Sequence, residues 1–123
     1  MKPYNLICMD ITTFKTKLHT HPETIEFDDT MSIIDQHYHF EAGEFSNGDL
    51  INAAGQNSGS CKLFAFAKLQ NFNPEDTLSC FGQYYRVDVL TNLEGDNHQN
   101  IRNFIKTGWD GIKFKSPVLA EKS

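Results

Sequence analysis

The sequence predicts a single compact domain that is mainly α or α+β, with about five helices around a central apolar helix and a small β element. Three observations predict it. Most segments place apolar residues at helical spacing, residues 60–69 are apolar almost all round, and a turn dipeptide, Asn47-Gly48, interrupts the helical pattern. The length of 123 residues suits one domain, and no linker or repeat divides the chain.

Two helices are predicted in the N-terminal third. Residues 8–19 carry Ile11, Phe14 and Leu18 on one face, and the His21-Pro22 step ends this helix. A second helix follows in "FDDTMSIIDQHY", where Asp28 or Asp29 can cap the first turn. Met31, Ile34 and Tyr38 share one face of this second helix.

A hairpin or irregular loop and the central helix come next. Asn47-Gly48 is typical of a tight turn between two short strands. The helix that begins near Ser60 and runs to about Leu69 places Leu63, Phe64, Phe66 and Ala67 nearly around its circumference. A helix that is apolar all round is buried, so this one should form the centre of the core.

Helix boundaries are also marked in the C-terminal half. Asn73 followed by Pro74 predicts a helix start, and the helical pattern continues to about Val89 with a kink at Gly82. Another helix begins after Asp96 or Asn97 and stops at Gly108. "GIKFK" then predicts a short strand, Trp109 is expected in the core, and residues 119–123 read as a loose tail.

Charge and cysteine content exclude several functional classes. The net charge of -5, the pI near 5.4 and the absence of a basic stripe argue against nucleic acid or an anionic membrane as a partner. No apolar run is long enough to span a bilayer. The three cysteines, Cys8, Cys61 and Cys80, have no disulfide or zinc-ligand spacing, which favours a reducing compartment.

Four strings in succession resemble the HopJ type III effector family: "FDDTMSIIDQHYHF", "NGDLINAAGQNSGSCKLFAFAKL", "TLSCFGQYYRVDVL" and "DNHQNIRNFIKTGWDGIKF". The resemblance implies one domain over residues 12–118, preceded by a divergent extension at residues 1–11. It also implies a bacterial cytoplasmic protein that a type III system could secrete into a host cell. It implies no settled enzymatic activity and no cofactor.

Cys61 and His98 are the candidate catalytic pair. Cys61 lies near a predicted helix N-terminus, where free N–H groups and the helix dipole stabilise a thiolate. His98 also lies at a predicted helix N-terminus, which favours the neutral imidazole that a general base needs. Asn97, Gln99 or Asn100 could orient the ring. The alternative is a buried core cysteine and a histidine with a structural role.

A metal site is a third possibility. In a strand, His37, His39 and Glu41 would share one face and could bind zinc or iron(II), whereas at a helix end they would diverge. The alternative is a polar edge that faces solvent.

Amide-rich segments predict a ligand pocket. Fixed amides with one guanidinium could hold a carboxylate, a phosphate or another polar ligand. The alternative is that these side chains satisfy the backbone of an irregular loop. The candidate residues are Asn47, Asp49, Gln56, Asn57, Ser60, Asn100 and Arg102.

The sequence therefore favours a binding or interaction domain whose partner is an unknown protein or small molecule. A thiol-dependent acyl or amide hydrolase or transferase that uses Cys61 and His98 is the alternative. A metal-dependent enzyme comes third.

Overall fold

The computed structural model of the protein describes residues 9–122. Five α-helices, a π-helix and five short strands in this range confirm the α+β prediction. The helices are α1 (Ile11–Thr20), α2 (Phe27–His37), α3 (Ser58–Leu69), α4 (Pro74–Ser79), α5 (Gln99–Thr107) and the π-helix Tyr84–Val89; two 3-10 turns cover Pro22–Thr24 and Gly108–Gly111. The strands are β1 (Tyr38–Phe40), β2 (Phe45–Asn47), β3 (Leu50–Asn52), β4 (Ile112–Phe114) and β5 (Leu119–Glu121).

The strands form two small antiparallel sheets. One has the order β3-β2-β4, and the predicted hairpin connects its first two strands through Gly48, which has a φ of 61°. The other pairs β1 with β5, so that Phe40 lies opposite Leu119. Residues 119–121, which the sequence assigns to the tail, therefore lie in a strand. Strand β1, with which they pair, lies about eighty positions earlier in the chain, so no local sequence pattern indicates the pairing.

Helix starts follow local capping chemistry. Asp10 accepts a hydrogen bond from the Thr13 N–H at 2.7 Å. Asn73, at the predicted helix start, accepts one from the Asp76 N–H at 2.7 Å. Helix α2 begins differently. Its N-cap is Glu26, whose N–H donates a hydrogen bond to Asp29 Oδ2 at 2.9 Å. This reciprocal capping box replaces the simple Asp28 or Asp29 cap that the sequence predicts.

The core is built around α3. Cys61 and all five residues from Leu63 to Ala67 are buried in this helix, which confirms its central place. Phe64 is fully buried, and its ring lies 5.0 Å from that of Phe104 and 5.4 Å from that of Phe81, centroid to centroid. These spacings are typical of favourable aromatic pairs, so α3 connects the neighbouring elements through ring contacts.

Gly82 separates α4 from the π-helix. Its φ is 61°, and a Cβ at this position would lie 2.5 Å from the backbone nitrogen of Phe27. Only glycine allows the start of α2 to approach so closely. The single kinked helix expected over residues 74–89 is therefore two helices with a break. Among residues 9–122, no helix is long and apolar enough to cross a lipid bilayer.

The central position of Phe64 generates a stability prediction. Because Phe64→Ala leaves a cavity among several aromatic rings, we expect a loss of about 3–5 kcal/mol in the free energy of unfolding, measured by urea denaturation. Phe64→Leu should lose less, since it fills more of the space. Ile51→Ala, at a side chain that is 67% exposed, is the control and should lose less than about 1 kcal/mol. A loss at Phe64 no larger than at Ile51 would contradict the central role of α3.

Candidate functional site

A cavity of about 420 Å³ lies where α3 and α5 begin. One part of its lining is aromatic and another is polar and neutral. Four of the residues singled out from the sequence line it: Asn57, Ser60, His98 and Asn100. The remaining lining residues are Phe27, Leu50, Phe81, Tyr84, Gln99 and Ile101.

Unusual backbone conformations place the two helix starts at this cavity. Asn57 and His98, the N-cap residues of α3 and α5, are left-handed, with φ values of 51° and 53°. Neither side chain caps its own helix. This conformation is uncommon for residues other than glycine, and asparagine and histidine are among those that adopt it most readily. Both side chains line the cavity instead.

A buried network of amides fixes the polar part of the lining. The Asn100 Oδ1 accepts hydrogen bonds from Asn47 Nδ2 at 3.0 Å and from Asn52 Nδ2 at 3.2 Å. Asn100 Nδ2 donates in turn to Asn52 Oδ1 at 3.1 Å. All three side chains are at most 6% exposed. Because buried amides must be paired, these bonds define the orientation of the start of α5 against the hairpin.

The network also reaches the start of α3. Asn57 Nδ2 donates to Asn52 Oδ1 at 2.7 Å, and Asn103 Nδ2 donates to the Asn47 carbonyl at 2.9 Å. The Asn47 Oδ1 is the one buried side-chain polar atom without a hydrogen-bond partner among residues 9–122. Three of the predicted ligand residues, Asn47, Asn57 and Asn100, thus belong to one connected network, although Asn47 lies behind the cavity lining.

His98 forms part of the aromatic lining. Its Nε2 lies 2.9 Å from Asp88 Oδ2, and its ring stacks on Tyr84 at 5.2 Å between centroids. Tyr84 in turn lies 5.2 Å from Phe27. The carboxylate of Asp88 therefore orients the imidazole, a role that the sequence gave to Asn97, Gln99 or Asn100. Asp88, Tyr84 and Phe27 were missed, because only tertiary folding brings them to His98.

Besides Asn47, three predicted ligand residues lie outside the cavity lining. Arg102 donates to the Asn92 carbonyl at 2.9 Å and to Asn97 Oδ1 at 2.7 Å, so it holds the loop before α5. Gln56 accepts a bond from the Ala53 N–H at 2.9 Å, and Asp49 is exposed in the hairpin turn. The contacts of Arg102 and Gln56 fit the alternative interpretation, in which polar side chains form hydrogen bonds with the backbone of a loop.

Cys61 is directed elsewhere. It is 2% exposed, its Sγ lies 3.9 Å from the Gly43 carbonyl, and it does not line the cavity that holds His98. Burial raises the pKa of the Cys61 thiol above its ordinary value, which is the opposite of activation. The thiol-enzyme hypothesis stays a prediction, and this geometry does not favour it.

The proposed metal ligands do not form a cluster. His37 is the last residue of α2, where its Nε2 lies 3.1 Å from the Met9 carbonyl, while His39 is exposed in β1 and Glu41 follows that strand. Within residues 9–122 no three His, Cys, Asp or Glu side chains converge as a metal site would require. Of the two alternatives, the structure has the helix end, at which the side chains diverge, because the chain changes from helix to strand between His37 and Tyr38.

Trp109 packs against the core, as expected. Its Nε1 donates to the Phe72 carbonyl at 2.8 Å, and its ring meets that of Phe104 edge-on at 5.2 Å. This tryptophan is only partly buried, because it lies at the edge of the aromatic core rather than at its centre.

Comparisons with known proteins agree with this architecture. The family model described as HopJ type III effector protein matches residues 11–119. The chain belongs to the HopJ family. A crystallised protein of unknown function, VPA0580, is 47% identical, with a TM-score of 0.91 over 93% of this chain and 95% of that chain. No curated protein matches the chain. The HopJ fold is thus shared with a solved structure, while its biochemistry is open.

The amide network of this HopJ domain predicts a specific instability. Asn100→Ala removes the Oδ1 that accepts from Asn47 and Asn52 and the Nδ2 that donates to Asn52, so three buried hydrogen bonds are lost. Asn47 Nδ2 keeps its bond to the backbone carbonyl at position 100 at 2.8 Å, and Asn52 Nδ2 keeps its longer bond to the Phe45 carbonyl at 3.4 Å. We therefore expect a loss of about 2 kcal/mol in the free energy of unfolding, measured by urea denaturation. Gln99→Ala, at the exposed preceding position, is the matched control and should lose less than about 1 kcal/mol. Equal losses would show that the network contributes little.

The environment of Cys61 predicts slow alkylation. At pH 7.5 iodoacetamide should modify Cys61 about tenfold or more slowly than free glutathione, because both burial and a raised pKa limit the thiolate. The alkylation rate of Cys61 should still increase with pH at values where the alkylation rate of glutathione has become constant, because the pKa of Cys61 is raised. Peptide mass spectrometry of the native protein measures it, with Cys80, also buried with a raised pKa, as an internal reference. Modification of Cys61 faster than glutathione would restore the nucleophile hypothesis.

Proposed function

We propose that this HopJ domain is a binding domain whose cavity holds a small, neutral, ring-containing molecule with hydrogen-bonding groups. The observation that carries the proposal is the cavity lining, in which aromatic rings accompany neutral amide and hydroxyl groups. Binding pockets combine apolar and aromatic surface with a few fixed polar groups in this way. The volume of about 420 Å³ also lies in the range of small-molecule sites.

The aromatic side chains supply the affinity for a ring. Phe27, Tyr84 and His98 form a connected run of rings, and all three are only partly buried. Part of their surface is therefore available to a ligand. A ring that covers this surface gains both apolar burial and favourable stacking geometry.

The polar side chains favour a neutral ligand. None of the ten lining residues is Asp, Glu, Lys or Arg. A charged ligand would lose its hydration without gaining an ion pair, which is costly. Amides offer a donor and an acceptor side by side, so Asn57 and Gln99 can pair with a ligand that also carries both.

Preorganisation supports binding further. Asn57 and Asn100 are held by the amide network, and Asp88 holds the imidazole of His98. Side chains that are already fixed lose little conformational entropy when a ligand arrives. The starts of α3 and α5 add backbone N–H donors that their N-cap side chains leave uncapped.

The site of action stays a prediction. The family belongs to type III effectors, and we propose that this protein is made in the bacterial cytoplasm and delivered into a host cell. A neutral metabolite of either cell would suit the cavity.

A ligand screen tests the binding proposal. We expect ligand-observed NMR with a mixed library of small metabolites to select neutral ring compounds over charged ones. Ser60→Phe, which fills the cavity, should weaken the selected compounds about tenfold or more. Ser32→Phe, the same change at an exposed position of α2, is the control and should leave binding unchanged.

Two outcomes would contradict the proposal. One is a screen without any compound that responds to Ser60→Phe. The other is selection of charged compounds alone. Thermal unfolding of both variants checks that each remains folded.

A further inference from the structure

A groove of about 410 Å³ lies at the other end of α3 from the cavity. It runs between the last turn of this helix and the segment that connects β4 to β5. The apolar side chains that line this α3 C-terminal groove are Ala65, Leu69, Phe114, Pro117, Val118 and Leu119. Leu69 is 54% exposed, so the groove offers apolar surface to a partner rather than to the core.

Two lysines give the groove a positive charge. Lys68 and Lys115 line it, both are exposed, and neither forms an ion pair with any residue in the range 9–122. The Lys68 ammonium lies 5.9 Å from the centroid of the Phe114 ring, a cation–π contact that holds the charge over the groove. None of the nine described residues that line the groove is Asp or Glu. A local positive site is distinctive on a chain whose net charge is -5.

We propose that the α3 C-terminal groove binds an acidic, amphipathic segment of a partner protein. Apolar side chains of that segment would cover Leu69 and Phe114, and its carboxylates would pair with Lys68 and Lys115. Charge complementarity of this kind selects the partner and its orientation. A symmetric contact with a second copy of this chain is disfavoured, because Lys68 and Lys115 of one molecule would lie near the same lysines of the other.

This inference does not depend on the ligand cavity. The cavity is lined by residues of the first turn of α3, and the groove by residues of its last turns. Ser60 in the cavity and Ala65, the first α3 residue of the groove, are five positions apart, which is about 7.5 Å along the helix axis and about 140° around it. A molecule could therefore occupy each site without contacting the other.

Peptide selection tests the groove. A phage-displayed library of random peptides is selected against the purified protein, and fluorescence anisotropy measures the affinity of the enriched sequences. We expect peptides that combine Leu or Phe with Asp or Glu. Reversal of both charges, in the double variant Lys68→Glu and Lys115→Glu, should weaken these peptides about tenfold or more and should enrich basic peptides in a new selection.

Matched controls separate a local effect from net charge. Lys15→Glu with Lys106→Glu changes the net charge equally but lies outside the groove, so binding should be retained. Leu69→Asp should abolish binding, and Ser60→Phe should leave it unchanged. Because Lys68, Lys115 and Leu69 are exposed, these variants should fold normally, which circular dichroism checks.

Three results would overturn the proposal. These are peptides without acidic residues, affinity that survives the charge reversal, or equal losses in the control variant. A dimer in analytical ultracentrifugation that Leu69→Asp dissociates would assign the groove to a second copy instead.

Discussion

The buried hydrogen bonds among Asn47, Asn52 and Asn100 determine where the other parts of the site lie. Asn47 and Asn52 belong to the two strands of the hairpin, and Asn100 belongs to the first turn of α5. Since hydrogen bonds between buried amides require close and specific geometry, few relative positions of hairpin and helix allow these three side chains to bond to one another. Asn57 extends the same constraint to the start of α3. The network thus brings together two helix starts that are about forty residues apart in the chain.

Helix α3 distributes the roles of the domain along its length. Its middle is buried by the rings around Phe64, its first turn reaches the cavity, and its last turns form one side of the groove. A close-packed middle keeps both ends in fixed positions. Binding surfaces on a rigid element are positioned more precisely than surfaces on loops. This arrangement suits a domain that acts through binding.

Local signals in the sequence predict the elements well, and non-local contacts escape them. Asn47-Gly48, Asn73-Pro74 and Gly108 act within a few residues, so the hairpin, the start of α4 and the end of α5 are correct. Of the seven predicted ligand residues, Asn47, Asn57 and Asn100 belong to the amide network, whereas Arg102 and Gln56 bond to loop segments. Strand β5 pairs with β1, which is distant in the sequence, and Asp88 contacts His98 only in the folded chain. The periodicity of a single segment indicates neither contact.

The separation of Ser60 from Cys61 shows how this limit affects functional interpretation. Successive residues of an α-helix are about 100° apart around its axis, so neighbours in the first turn face different surroundings. Ser60 lines the cavity with His98, whereas Cys61 is buried against the Gly43 carbonyl. The predicted helix start does lie near His98, but the side chain that reaches the shared cavity is the Ser60 hydroxyl rather than the Cys61 thiol. The rotation of α3, which the amide network and the aromatic core impose together, decides which side chain faces the cavity.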